Sequence, residues 1–288
     1  MKKLLALLLV SSLAPSLYAQ KTRTVVEPFF GYRNSGTLEI ERIELAPEST
    51  TVYIQARYMP LQWIRISSET YIRVENEKLT VRSADGMPLD TEFYMPETGR
   101  HDFSLSFPPV DSKTAKIDLI ESDCPDCFKI YDIDLTGKKA KPGRSALAKK
   151  YKKTVPLTGN FTVPVVSDSP ARIAGAITGY DPRFFDRIEI AFYSPIVGDG
   201  ATELKVPVRA DGSFETELNI LTPIRGTLFL PGFVTLPFYA EPGRETALEI
   251  DLGAVYRKTS VFKELHPQTS PVAYYGELGR VNEELARL

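Results

Sequence analysis

Leu204-Lys-Val-Pro-Val-Arg-Ala-Asp-Gly-Ser-Phe-Glu-Thr-Glu-Leu-Asn-Ile220 sets two alternating runs on either side of an Asp-Gly pair. Leu204, Val206 and Val208 take every second position before the pair. After it, Phe214, Leu218 and Ile220 share a face opposite Glu215, Glu217 and Asn219. A side-chain period of two belongs to strands with one buried face. Asp211-Gly212 between the runs predicts a tight hairpin, since glycine adopts the positive φ that such turns require. Pro207 has no N–H to give a ladder, so its strand is expected at a sheet edge or a bulge.

The same period recurs along the chain. Val52, Ile54, Ala56 and Tyr58 alternate with Tyr53, Gln55 and Arg57. Phe103, Leu105 and Phe107 alternate with Ser104 and Ser106, and Ile188, Ile190 and Phe192 with Glu189 and Ala191. Ala84-Asp85-Gly86 and Gly198-Asp199-Gly200 add further turn signals. Short half-buried strands between such turns predict an all-β chain of two consecutive antiparallel β-sandwich, immunoglobulin-like domains. The first is expected over residues 24–137 and the second over 171–252, joined by a basic linker over 138–170. Residues 253–288 form a C-terminal segment in which the strand pattern fades. Leu278, Val281, Leu285 and Leu288 then recur at three and four, which predicts a helix over 274–288 that either folds back on the second domain or leads onward.

Residues 1–19 read as an export signal. Lys2 and Lys3 precede an apolar run from Leu4 to Val10, and Leu17-Tyr18-Ala19 offers a small residue for cleavage before Gln20. The run is too short to span a bilayer, and no later stretch approaches membrane length. An exported, periplasmic or cell-surface protein without a transmembrane span is expected. Removing the signal would leave 33 basic against 37 acidic side chains, which disfavours nucleic acid as a partner. Residues 138–153 hold eight basic side chains and no acids. They read as a solvated linker, or as a weak contact with an anionic surface through Lys149, Lys150, Lys152 and Lys153.

Cys124-Pro-Asp-Cys127 contains both cysteines of the chain. Pro-Asp in the middle suits a β-turn between the strand-like stretches Ile117-Asp-Leu-Ile-Glu-Ser-Asp123 and Phe128-Lys-Ile-Tyr-Asp-Ile-Asp-Leu135. That turn could be disulfide-closed or reduced. A redox or thiol-exchange pair is the alternative, and Glu121, Asp123 and Asp126 count against it, because negative charge disfavours the thiolate. Two thiolates are also half of a tetrahedral zinc site. The only histidines, His101 and His266, are not brought to the cysteines by spacing, so no metal and no cofactor is assigned. His101 reads as a solvated turn residue. No G-x-S-x-G elbow, H-E-x-x-H helix or phosphate loop occurs, and no catalytic residue is assigned.

Trp63, the single tryptophan, shares a strand face with Arg65. It reads as a sandwich-core residue, or else as an exposed ring that with Arg65 could stack on a sugar or peptide. The other Tyr and Phe residues read as core or cross-strand pairs. Asn160-Phe-Thr162 matches a glycosylation sequon.

Several stretches resemble the N-terminal, non-catalytic region of exported thioredoxin-like proteins of the TlpA type from Bacteroidota. In the first domain these are Trp63-Ile-Arg-Ile-Ser-Ser-Glu-Thr-Tyr-Ile72, Phe103-Ser-Leu-Ser-Phe107, Ile117-Asp-Leu-Ile-Glu121 and Phe128-Lys-Ile-Tyr131. Tyr239-Ala-Glu-Pro-Gly-Arg-Glu-Thr-Ala-Leu-Glu-Ile-Asp-Leu252 and Tyr275-Gly-Glu-Leu-Gly-Arg-Val-Asn-Glu-Glu-Leu285 continue the resemblance. In that family activity resides in a following thioredoxin domain with a W-C-x-x-C motif, which Cys124 and Cys127 do not match. The resemblance therefore implies an exported accessory region, either the front of a longer protein or acting alone. The expectation is a non-enzymatic envelope module with a protein partner. Thiol–disulfide exchange through Cys124 and Cys127, or glycan binding through Trp63, are the alternatives.

Overall fold

The computed structural model describes residues 22–137, 166–194, 200–232, 234–265 and 270–287. The signal, the basic stretch with Lys149, Lys150, Lys152 and Lys153, the Asn160 sequon, Gly198-Asp199 and His266 lie outside the described residues. In the first half the strands are β1 (Arg23–Val26), β2 (Tyr32–Arg33), β3 (Leu38–Leu45), β4 (Thr50–Arg57), β5 (Trp63–Ile64) and β6 (Tyr71–Val74). They continue as β7 (Glu77–Thr80), β8 (Ser83–Asp85), β9 (Phe93–Tyr94), β10 (Arg100–Phe107), β11 (Lys116–Ile120) and β12 (Lys129–Asp134). Two sheets, ordered β1-β3-β4-β10-β8 and β2-β12-β11-β6-β7, make the layers of a sandwich, with β5 and β9 paired apart from both. Between the layers Ile43, Leu45, Val52, Ile54, Leu105 and Phe107 meet Ile72, Ile117, Leu119 and Ile133, all buried. Alternation puts those side chains on the inner faces, and each contributes roughly 1.5–3 kcal/mol by leaving water.

The second half holds β13 (Ala171–Thr178), β14 (Arg187–Tyr193), β15 (Ala201–Pro207), β16 (Ser213–Leu218), β17 (Ile224–Leu230), β18 (Val234–Ala240), β19 (Glu245–Asp251) and β20 (Val272–Tyr275). Helices α1 (Leu252–Thr259) and α2 (Gly279–Leu285) flank β20. The sheets run β16-β13-β19-β20 and β15-β14-β17-β18. The all-β sandwich expectation holds, and Pro207 lies on edge strand β15 as its missing N–H requires. Pairing among the described strands is antiparallel except between β13 and β19, which are parallel over Arg172–Thr178 and Glu245–Asp251.

The predicted hairpin at Asp211-Gly212 is corrected. The tight turn is present: Gly212 has φ +81°, its N–H reaches the Arg209 carbonyl at 2.8 Å, and the Arg209 N–H reaches the Ser213 carbonyl at 2.8 Å. Beyond it, however, β15 pairs with β14 and β16 with β13, in opposite layers. Both runs have an apolar face, and a period of two does not say whether those faces belong to one sheet or to two facing ones.

The C-terminal segment also differs from expectation. Val272–Tyr275 is a strand on β19, and the helix covers only Gly279–Leu285. Asn282 is buried, and of the predicted stripe Leu278, at the helix N-cap, is buried while Val281 and Leu285 are half-buried. The Asn282 side chain accepts from the Tyr239 N–H at 2.7 Å and donates to the Tyr239 carbonyl at 3.1 Å, completing the outer edge of β18. The segment thus packs back on the second sandwich.

The two sandwiches share an aromatic seam. Phe184, from the second, stacks on Tyr32 and Tyr131 of the first at 5.1 and 5.8 Å between ring centroids. A bulge between β11 and β12, with Asp132 at φ +56°, re-aims that side chain out of the ladder. Arg183 then bridges Asp132 at 3.0 Å and Asp118 at 3.4 Å, and Arg73 holds Asp118 at 2.6 Å. A second tie joins α1 to the first sandwich. Arg33 and Glu39, both 3% exposed, form an ion pair. Glu39 also accepts from the Val261 N–H at 3.3 Å and the Ser260 hydroxyl at 3.2 Å, while Arg33 donates to the Thr259 hydroxyl at 3.3 Å.

Burial raises the phenols of Tyr32, Tyr256 and Tyr239 above the ordinary value of 10.0, and that of Tyr274 to about 12. A raised folded-state value means full stability below pH 10.0 and progressive loss as pH climbs toward about 12. The urea midpoint is expected to hold steady from neutral pH up to the ordinary phenol value and to fall above it. A midpoint that rises in the alkaline range would contradict this burial.

Candidate binding face

Strand β4 ends at Arg57, and Met59-Pro60-Leu61-Gln62 turns the chain into β5. The Gln62 N–H closes that turn on the Met59 carbonyl at 3.2 Å, and Leu61 adopts φ +61°. A non-glycine residue in the left-handed region carries roughly 1–2 kcal/mol of local strain. The turn is held to β9 by Leu61 N–H to Met95 O at 3.2 Å and Met95 N–H to Gln62 O at 2.9 Å. Trp63 pairs with Tyr94, and Ile64 with Phe93. Ile64 and Ile66 face the core, so Trp63 and Arg65 face outward.

The core reading of Trp63 is therefore corrected: its side is open, and it is 48% exposed. The physical reason is that β5 lies outside both large sheets, so among the described residues no sheet layer covers its second face. Tyr94, its cross-strand partner, is 60% exposed. Tyr58, read as part of the alternating strand, lies past its end and is exposed, as are Met59 and Leu61. The missed signal was Pro60, which ends a central strand and frees the residues around it. Trp63 and Arg65 were legible as a pair; Tyr94 was not, because its partner strand is 30 residues away and only two residues long.

The disulfide turn lies across a cleft from this face. Cys124 and Cys127 are bonded, at the tip of the β11–β12 hairpin, whose base is closed by the Glu121 N–H on the Phe128 carbonyl at 3.0 Å. Asn34 pins the turn from the side, donating to the Cys127 carbonyl and accepting from the Lys129 N–H, both at 2.7 Å. A cleft of about 450 Å³ runs between Tyr58 and Arg65 on one wall and Pro125 and Asp126 on the other, with Leu38 and Phe128 among its apolar lining. The structure thus brings Arg65 and the disulfide turn to one cleft and leaves Trp63 on the adjoining ribbon.

Two of the carboxylates beside the cysteines are engaged by partners. Asp123 receives the Lys78 ammonium at 2.7 Å and the Tyr71 hydroxyl at 2.8 Å, and hydrogen bonding, from Lys78 first, lowers its pKa. Glu121 accepts from the Phe128 N–H at 3.3 Å. Once reduced, the sulfurs would have acidic chain neighbours in Glu121, Asp123 and Asp126, and negative charge opposes thiolate formation. His101 is not a solvated turn residue: it lies in β10, with Nε2 2.8 Å from the Gly86 carbonyl and its ring 4.2 Å from that of Phe93. Among the described residues no cluster of three His, Cys, Asp or Glu side chains could hold a metal ion, and no helix is long and apolar enough to cross a membrane. No family model, no curated protein and no solved structure matches this chain.

Proposed function

We propose that this chain is an exported, non-enzymatic interaction module of the cell envelope, akin to the accessory front region of thioredoxin-like proteins. The observation that carries the reading is the run of exposed large apolar side chains Tyr58, Met59, Leu61 and Trp63, with Tyr94 paired to Trp63 on the neighbouring strand. Exposed rings and aliphatics concentrated on one short stretch mark interaction sites, whereas single exposed apolar residues are ordinary. In a sedimentation assay with purified cell envelopes, the Trp63→Ala/Tyr94→Ala double variant is expected to bind at least about tenfold more weakly than the parent, the loss of two desolvated aromatic anchors. Both side chains are exposed, so folding should survive. Undiminished binding by the double variant would sink this reading.

The exposed position of Cys124 favours a second reading, a thiol–disulfide exchange protein or an accessory to one. The carboxylates around the pair weigh against it. Insulin reduction with dithiothreitol separates the two: the interaction reading expects no acceleration over dithiothreitol alone, and turnover abolished by Cys124→Ser would replace it with the redox reading.

A further inference from the structure

We infer that the free edge of β15 is a self-association surface, on which a second copy of this chain pairs strand to strand. β15 ends the order β15-β14-β17-β18, so one of its sides has no ladder partner among the described residues. Open edge backbone of that kind is a template for another strand. At the other end of the same sheet, Asn282 closes β18 at Tyr239. The direction of each β15 backbone group follows from its ladder. The Val208 N–H donates to the Asp186 carbonyl at 2.8 Å, one step beyond the register pair of Pro207 and Arg187. Bonded pairs recur at every second residue of an antiparallel ladder. Val206, Leu204 and Thr202 therefore bond to β14, while Lys205, Glu203 and Ala201 aim their N–H and C=O groups at the open edge. Pro207 also falls on the open side, where its missing N–H costs the sheet no bond.

The side chains select the partner. Two copies of β15 related by a two-fold axis at Leu204 run antiparallel, which puts Glu203 of each copy opposite Lys205 of the other. Those positions form bonded pairs, exchanging both N–H···O bonds, with the two side chains on one face. At each end the Ala201 N–H meets the Pro207 carbonyl of the second copy. Opposite charges directly across a ladder stabilise it, and like charges destabilise it. An axis at Glu203 or at Lys205 would set like charges against each other, and a register shifted by one residue would misalign the bonding groups. Glu203 and Lys205 are exposed, and neither has an ion-pair partner among the described residues. Leu204 packs against the core of the second sandwich but is only half-buried, and its counterpart across the axis would cover the remainder. A strand from an unrelated protein would have to carry the matching charge order, whereas a second copy supplies it by symmetry.

Pairing along one strand makes a small interface, so a reversible dimer is expected. Sedimentation velocity of the purified chain, from micromolar to millimolar concentration, should show monomer passing to dimer. Glu203→Lys alone, or Lys205→Glu alone, turns both cross-copy pairs repulsive and should weaken the dimer at least about tenfold. The combined variant Glu203→Lys/Lys205→Glu restores opposite charges at the same positions and should return dimerisation to near the parent level. Lys205→Pro removes only an outward N–H, so the dimer should be lost while the urea midpoint stays near that of the parent. A parent that remains monomeric at millimolar concentration overturns self-association and leaves the edge to a strand of another protein. A dimer indifferent to the single reversals and to Lys205→Pro overturns β15 as its surface. A dimer weakened by each reversal but not rescued by their combination overturns the two-fold register. The Trp63→Ala/Tyr94→Ala variant should dimerise like the parent, so this inference stands or falls apart from the envelope-binding reading.

Discussion

Glu39→Ala is expected to lower the free energy of unfolding by about 3–5 kcal/mol, the cost of leaving one member of a buried ion pair without its partner. Arg33 and Glu39 are each 3% exposed, so water cannot replace the lost carboxylate. The substitution also removes the acceptor for the Val261 N–H and the Ser260 hydroxyl, just past the end of α1. Small domains have only about 5–15 kcal/mol in total, so the variant should stand close to unfolding at ambient temperature. Urea denaturation monitored by circular dichroism would measure it. Arg33→Met/Glu39→Leu is expected to recover part of the loss, because no charge is then buried alone, but not all of it, because Val261 still lacks an acceptor. A loss below about 1 kcal/mol for Glu39→Ala would mean that the pair is solvated in solution and does not tie the sandwiches together.

Phe184→Ala should cost a similar amount, about 3–5 kcal/mol for a buried phenylalanine, and should also change how the protein unfolds. Phe184 is 7% exposed and fills the seam between Tyr32 and Tyr131, with its ring near-parallel to both, at 11°. Each sandwich retains its own pair of sheets without it. Calorimetry is therefore expected to show one transition for the parent and two separated transitions for the variant. Arg183→Ala is the milder control: that side chain is 45% exposed, and its pairs with Asp118 and Asp132 are partly screened, so a loss near about 1 kcal/mol is expected. A single, undivided transition for Phe184→Ala would show that other contacts, such as those of Arg33 and Glu39, suffice to couple the halves.

Much of the strand content was readable because its cause is local. Ile188, Ile190 and Phe192 are buried in β14, and Phe103, Leu105 and Phe107 in β10, as their alternation requires. The hairpin carrying Cys124 and Cys127 was readable too, since Pro125-Asp126 is turn chemistry between two apolar runs. The candidate face was half readable. Trp63 and Arg65 are neighbours in the chain, but Tyr94 and the cleft wall at Asp126 reach them only through folding. The seam was not readable at all: Tyr32, Tyr131 and Phe184 each look like ordinary strand or loop aromatics until the sheets are docked.

The amino-acid order alone was enough for the all-β class, for the strands built on alternation, for the tight turn at Asp211-Gly212 and for the edge position of Pro207. These follow from backbone preferences and a period of two, which act within a few residues. Folding alone decided that β15 and β16 leave that turn into opposite layers, that β13 runs parallel to β19, and that Trp63 faces solvent. A strand's pattern states that one face must be covered, but what covers it depends on partners far along the chain. Where no partner arrives among the described residues, as over the ribbon of Trp63 and Tyr94, an apolar face is left exposed.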